Sequence, residues 1–138
     1  MNVRALSVAA LLIGVSVAPM LAHHDVVSTY DAGKVTTITG LITRMEWTNP
    51  HVWIYMNVRG AAGKDVAWRI QIAAPNALDR AGIKKELLDL NRSCTMEIWP
   101  AFKEETIDYK TANGRLLTYP DGRKFDVSDK WPNTKLPG

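Results

Sequence analysis

The sequence predicts a mainly β protein: a small, OB-like, partly open barrel of five to six strands with one short helix, preceded by a signal peptide. Three observations carry that expectation. Two stretches, 51–58 and 66–72, alternate between aliphatic and polar or aromatic residues with the period of a half-buried strand. A β-branched stretch free of proline, 35–47, precedes them. A single helix signal, beginning at Pro75, separates this three-stranded meander from the later strands.

The first strand is long, and its apolar positions change parity. Ile38 and Ile42 share one face, whereas Met45 and Trp47 have the opposite parity, so a bulge between Ile42 and Met45 is expected, with Gly40 easing a bend. In the second strand Val52, Ile54, Met56 and Val58 face the core, and His51, Trp53, Tyr55 and Asn57 face away. The turn at 59–64 leads to a third strand with Val66, Trp68, Ile70 and Ile72 inward and Arg69 and Gln71 outward. Pro75 suits a first helical position and Gly82 a left-handed stop, with a further turn expected within 83–90. Cys94, Met96 and Ile98 then mark an inward face of the next strand. Asn113-Gly114 and Asp121-Gly122 read as hairpin turns that bracket a strand over 115–119 and lead into a last one over 124–127.

Domain boundaries follow. Residues 1–22 read as a secretory signal peptide: one charge, Arg4, an apolar run from Ala5 to Val17, and small residues near Ala22. The run is shorter than the ~20 residues of a membrane-spanning helix, so no span is expected after cleavage. Met20 is bulky for its place before a cut at Ala22, which leaves neighbouring cuts open. Residues 23–34 form an N-terminal arm, 35–128 the barrel and 129–138 an irregular tail. The expected location is periplasmic or secreted.

Composition excludes several functions. With 17 Lys and Arg against 14 Asp and Glu, scattered along the chain, no nucleic-acid face is indicated. Cys94 is the single cysteine, so no internal disulfide can form, and it reads as a small buried hydrophobe. There is no G-x-S-x-G, H-E-x-x-H, C-x-x-C or phosphate-binding glycine loop. Glu104-Glu105 reads as a solvated charge run rather than a pair of catalytic acids.

Chemistry gathers instead at Glu46-Trp47-Thr48-Asn49-Pro50-His51. If the strands pair through 47–50, Glu46 and His51 face each other on the surface away from the core. Such a pair is either a shared metal or proton-transfer site or an ion pair that locks the hairpin. Trp53 and Tyr55 continue that face and offer stacking surfaces for a ligand, unless the helix or the tail covers them. His23-His24, just past the cut, combine imidazoles with a free amine and an amide nitrogen, a ligand set suited to copper, and His51 is the one other histidine that an arm folding back would recruit.

These residues, His23-His24, Thr39-Gly40, the stretch from Glu46 to Ile54, Pro75-Asn76-Ala77-Leu78 and Pro120-Asp121-Gly122-Arg123-Lys124, resemble an uncharacterised family of small exported bacterial proteins. It is a domain of unknown function with an E-W-x-N-P-H hairpin. The resemblance spans most of the chain after the leader and implies a periplasmic single-domain barrel; it implies no activity. It marks Glu46, Trp47, Asn49, Pro50 and His51 as candidate site residues. The chain departs from that pattern after Trp99, where Pro100-Ala101-Phe102 and Glu104-Glu105 replace a shorter turn.

The leading expectation is a non-catalytic binding module that holds a small ligand or metal, copper among the candidates, near Glu46, Trp47, Asn49, Pro50, His51, Trp53 and Tyr55, with His23, His24 and His51 as metal ligands. The alternative is an envelope protein-protein interaction or structural module without a metal site. A copper-dependent or His/Glu acid-base enzyme ranks third.

Overall fold

The computed structural model describes residues 28–104 and 106–129. The expected signal peptide, the first part of the arm with His23 and His24, and residues 130–138 lie outside the described residues. Six strands follow in order: β1 (Thr36–Glu46), β2 (Trp53–Arg59), β3 (Asp65–Gln71), β4 (Ser93–Pro100), β5 (Lys110–Thr118) and β6 (Lys124–Asp126). Helix α1 (Pro75–Arg80) and a 3-10 turn (Lys85–Leu87) lie between β3 and β4. The sheet runs β3-β2-β1-β4-β5-β6, and a parallel pairing of β3 with β5 closes it. The result is a closed five-stranded barrel of OB-like form with β6 as an extra strand, where the sequence led us to expect a partly open one.

The alternating segments build the interior as their period requires. Val52, Ile54, Ile70 and Ile72 have no exposed surface, and Met56 has almost none. Ile42, Cys94, Met96, Ile98 and Leu117 complete the core, with Leu78 of α1 closing one side. Each such aliphatic side chain contributes about 1.5–3 kcal/mol through burial. The parity change in β1 is a bulge: Ile42 pairs with Met56 but Arg44 with Tyr55, so Thr43 is the extra residue and Met45 turns toward the core opposite Ile54. Pro75 begins α1 and Gly82, at φ 77°, follows its end.

One expected turn is a strand. Asn113-Gly114 lies inside β5, where Asn113 sits opposite Trp99 on one side and Gln71 on the other. Gly114 marks a close approach: a Cβ there would lie 2.8 Å from Ile72 Cγ2 and 3.0 Å from Ile70 Cγ2. Asp121-Gly122 is a turn, with the Gly122 N–H donating to the Tyr119 carbonyl at 3.0 Å. Part of the arm is also ordered against the barrel. Tyr30 is buried with Trp99, and the Asp31 and Phe102 amides cross-bond this segment to the end of β4.

Candidate outer-face binding site

The ladder between β1 and β2 decides which site residues meet. Glu46 pairs with Trp53, so the connection runs from Trp47 to Val52, longer than the four-residue link expected. Glu46 and His51 are therefore not cross-strand partners. Glu46 forms an ion pair with Arg44 on its own strand. The Arg44 guanidinium holds the Glu46 carboxylate below its usual range. Trp47 packs partly against the core, while Thr48, Asn49 and Pro50 are exposed at the tip, with a cis Asn49–Pro50 bond.

His51 turns toward the segment that follows β6. Its Nδ1 lies 3.2 Å from Asp129 Oδ2, and both side chains are largely covered. The Asp129 carboxylate raises the imidazole above its ordinary value of 6.5, with partial burial opposing and the Ile72 carbonyl adding to the rise. Sequence reasoning missed Asp129, which it assigned to the tail; no spacing signal joins positions 51 and 129.

Trp53 and Tyr55 do point away from the core, but they are not open rings. Arg69 lies over the Trp53 ring with its guanidinium carbon 3.7 Å from the centroid, and Arg44 covers Tyr55 at the same distance. Tyr109 packs edge-on against Tyr55 at 5.3 Å, leaving Tyr55 7% exposed. The cover comes from arginines and from the β4–β5 loop, not from α1. These are cation–π contacts, each favoured by the ring's negative face.

The same outer surface continues around the barrel. Trp53, Gln71, Asn113 and Trp99 fall in one register row across β2, β3, β5 and β4. Arg115 lies at the bulge where β5 slips against β4, with its guanidinium carbon 3.9 Å from the Trp99 ring centroid. Burial pulls Arg115 below the usual arginine value, while Asp126, Asp129 and Glu97 oppose the shift. Gln71 accepts a hydrogen bond from the Tyr30 hydroxyl at 3.0 Å. Thr111 Oγ1, Asn113 Nδ2 and Arg115 Nε are enclosed with no hydrogen-bond partner. Outward-facing yet buried polar residues on a barrel wall leave no hydrophobic periodicity, which is why the sequence did not disclose them.

Cys94 lies in the core, where burial pushes its thiol up to about 11, consistent with an inert packing role. Among the described residues no group of three or more His, Cys, Asp or Glu side chains is placed to hold a metal ion. His51 was the one expected metal ligand within them. Among the described residues no helix is long and apolar enough to cross a membrane.

Nothing matches the chain among curated proteins or among solved structures. The model of a family of unknown function, DUF6152, matches residues 10–108. That match covers well over half of the sequence, and the chain belongs to this family.

Proposed function

We propose that the chain is an exported, non-catalytic docking module that engages a protein partner in the cell envelope through the outer face of β1, β2 and β3. The observation that carries this reading is the pair of stacks, Arg69 on Trp53 and Arg44 on Tyr55, side by side on one surface. Arg, Trp and Tyr are the residues that dominate binding energy at protein interfaces. Here their rotamers are already fixed by mutual contact, which reduces the ordering cost of association.

The same stacks disfavour a ligand that binds by stacking. A sugar or base approaching Trp53 on that side meets the guanidinium first, and Tyr55 offers little open surface. A metal bridging positions 46 and 51 has no support in the strand register, which sends the two side chains to different partners. The leader-like start of the sequence and the E-W-T-N-P-H stretch support export and membership of the hairpin-bearing group.

The test is purification from producing cells of the wild type and of Trp53→Ala and Arg69→Ala variants, with metal content measured in parallel. Loss of a stoichiometric protein partner in both variants, with metal content unchanged, supports docking. Retained partners, or a loss of metal instead, overturn it.

A further inference from the structure

Gln71, Asn113 and Trp99 stand side by side on the outer wall of the barrel, because β5 pairs with β3 along one edge and with β4 along the other. Neighbouring strands lie about 4.8 Å apart, so Asn113 is the middle member of a row about 10 Å wide. Tyr30 spans that row. It packs against Trp99 at one end, and at the other its hydroxyl donates to Gln71 Oε1 at 3.0 Å. The phenol therefore lies across Asn113, which is 1% exposed.

A cover that suits a polar wall supplies it with hydrogen bonds. This one serves Gln71 and leaves the rest. Asn113 Nδ2 is enclosed with no acceptor, and so is Arg115 Nε, on a side chain 5% exposed. Arg115 reaches the same place: its guanidinium carbon is 3.9 Å from the centroid of the Trp99 ring, the cross-strand neighbour of Asn113. Among the described residues no carboxylate contacts this guanidinium. Asp129 is held by His51 and Asp126 by Ser128, and burial of Arg115 outweighs the pull of these two and of Glu97. Two donors, one of them cationic, thus share a wall that offers them no acceptor.

We propose that Gln71, Asn113, Arg115 and Trp99 form a ligand site whose seat Tyr30 holds in the free protein, and that its ligand is an aromatic acid bearing a ring hydroxyl. The seat already takes a phenol, with the ring against Trp99 and the hydroxyl on Gln71. What the tyrosine side chain lacks is an acceptor with negative charge. An aromatic carboxylate brings one to Asn113 and Arg115, and charge-assisted bonds of this kind are the strong ones.

The attachment of Tyr30 fits replacement. Its segment joins the barrel through one isolated bridge, Tyr30 to Ala101, where the Asp31 amide donates to the Pro100 carbonyl at 2.9 Å and the Phe102 amide to the Thr29 carbonyl at 3.0 Å. A piece tied so briefly opens at lower cost than the barrel strands. The ligand binds the opened form and competes with Tyr30 for the seat. This site does not rest on the docking proposed above.

The experiment is an NMR titration of the full chain with 4-hydroxybenzoate, benzoate and phenol at constant ionic strength, in the wild type, Tyr30→Ala and Arg115→Met. In the wild type 4-hydroxybenzoate is expected to give saturable shifts at the Asn113 carboxamide and the Arg115 Nε–H, while the Asp31 amide loses exchange protection. Tyr30→Ala, freed of its competitor, should bind the acid more tightly than the wild type does, and at least about tenfold more tightly than it binds phenol. Benzoate, which has no hydroxyl for Gln71, should bind less tightly than 4-hydroxybenzoate. Arg115→Met should erase the preference for the acid. No saturable response of the wild type below about 10 mM acid overturns the site. Equal affinity of Tyr30→Ala for acid and phenol also overturns it, since a ring is then merely filling a hole. Should Tyr30→Ala fail to fold, Arg115→Met decides: shifts at Asn113 as large and as saturable as in the wild type overturn the proposal.

Discussion

Glu46 stands opposite Trp53 in the β1–β2 ladder, and this one register assignment separates the carboxylate from His51. Glu46 then serves Arg44, which caps Tyr55, while His51 serves Asp129. The two ends of the E-W-T-N-P-H stretch act in different places.

A double-mutant cycle reads that separation directly. Glu46→Ala and His51→Ala share no partner, so their effects on stability should add within about 0.5 kcal/mol. Urea denaturation of the two single variants and the double variant measures it. A coupling well above that value would mean that the carboxylate and the imidazole act as a pair.

Gly40 sets how closely β1 can approach β2. A Cβ at this position would lie 2.1 Å from the Asn57 carbonyl oxygen, a clash with backbone that no rotamer change relieves. Gly40→Ala should therefore cost more than the ~1–3 kcal/mol of ordinary overpacking, and the denaturation midpoint is the readout. Gly114→Ala, whose nearest neighbours are side-chain atoms of Ile72, Ile70 and Met96, should fall within that ordinary range.

Acid stability should depend on a ring of charges between the 3-10 turn and the β5–β6 turn. Arg92 bridges Asp89 at 3.0 Å and Asp121 at 2.9 Å, and Arg123 reaches both carboxylates and the Leu87 carbonyl. The two arginines hold Asp89 below its ordinary value, and at Asp121 the Arg123 amide does so first, followed by its side chain. Depressed carboxylates contribute stability above the unfolded value, near 3.8, and lose it as pH falls through the folded one. Thermal melts from pH 5 downward should show that decline in the wild type and a shallower one in Asp89→Asn at low salt. Equal slopes would show that the ring adds nothing, as many exposed ion pairs do.

Much of the barrel was legible because its signals are local. The alternation through Ile54 and Met56, the parity change that demanded a bulge near Thr43, and the Pro75 and Gly82 boundaries each depend on a few neighbouring residues. Asn113-Gly114 misled because its turn propensity was overridden by tertiary contact: Gly114 is needed where β5 passes Ile70 of β3 and Ile72 just beyond it. The site was less legible for the same reason in reverse. The bulge that corrected the parity of Met45, together with the longer connection, also set the register that parted Glu46 from His51. The arginine covers on Trp53 and Tyr55, the placement of Arg115 over Trp99 and the Asp129 partner all come from residues distant in sequence. Only the register and the closure of β3 on β5 bring them together.

The central claim is that the stacked face of β1, β2 and β3 meets a protein. The most direct measurement places a photoreactive benzoylphenylalanine at Asn57, an exposed position on β2 with the outward parity of Trp53 and Tyr55, in producing cells and compares it with the same replacement at Glu86, an exposed position on the 3-10 turn. A discrete adduct from position 57 and none from position 86 is the predicted result. No adduct from position 57, or the same adduct from both positions, would contradict the account.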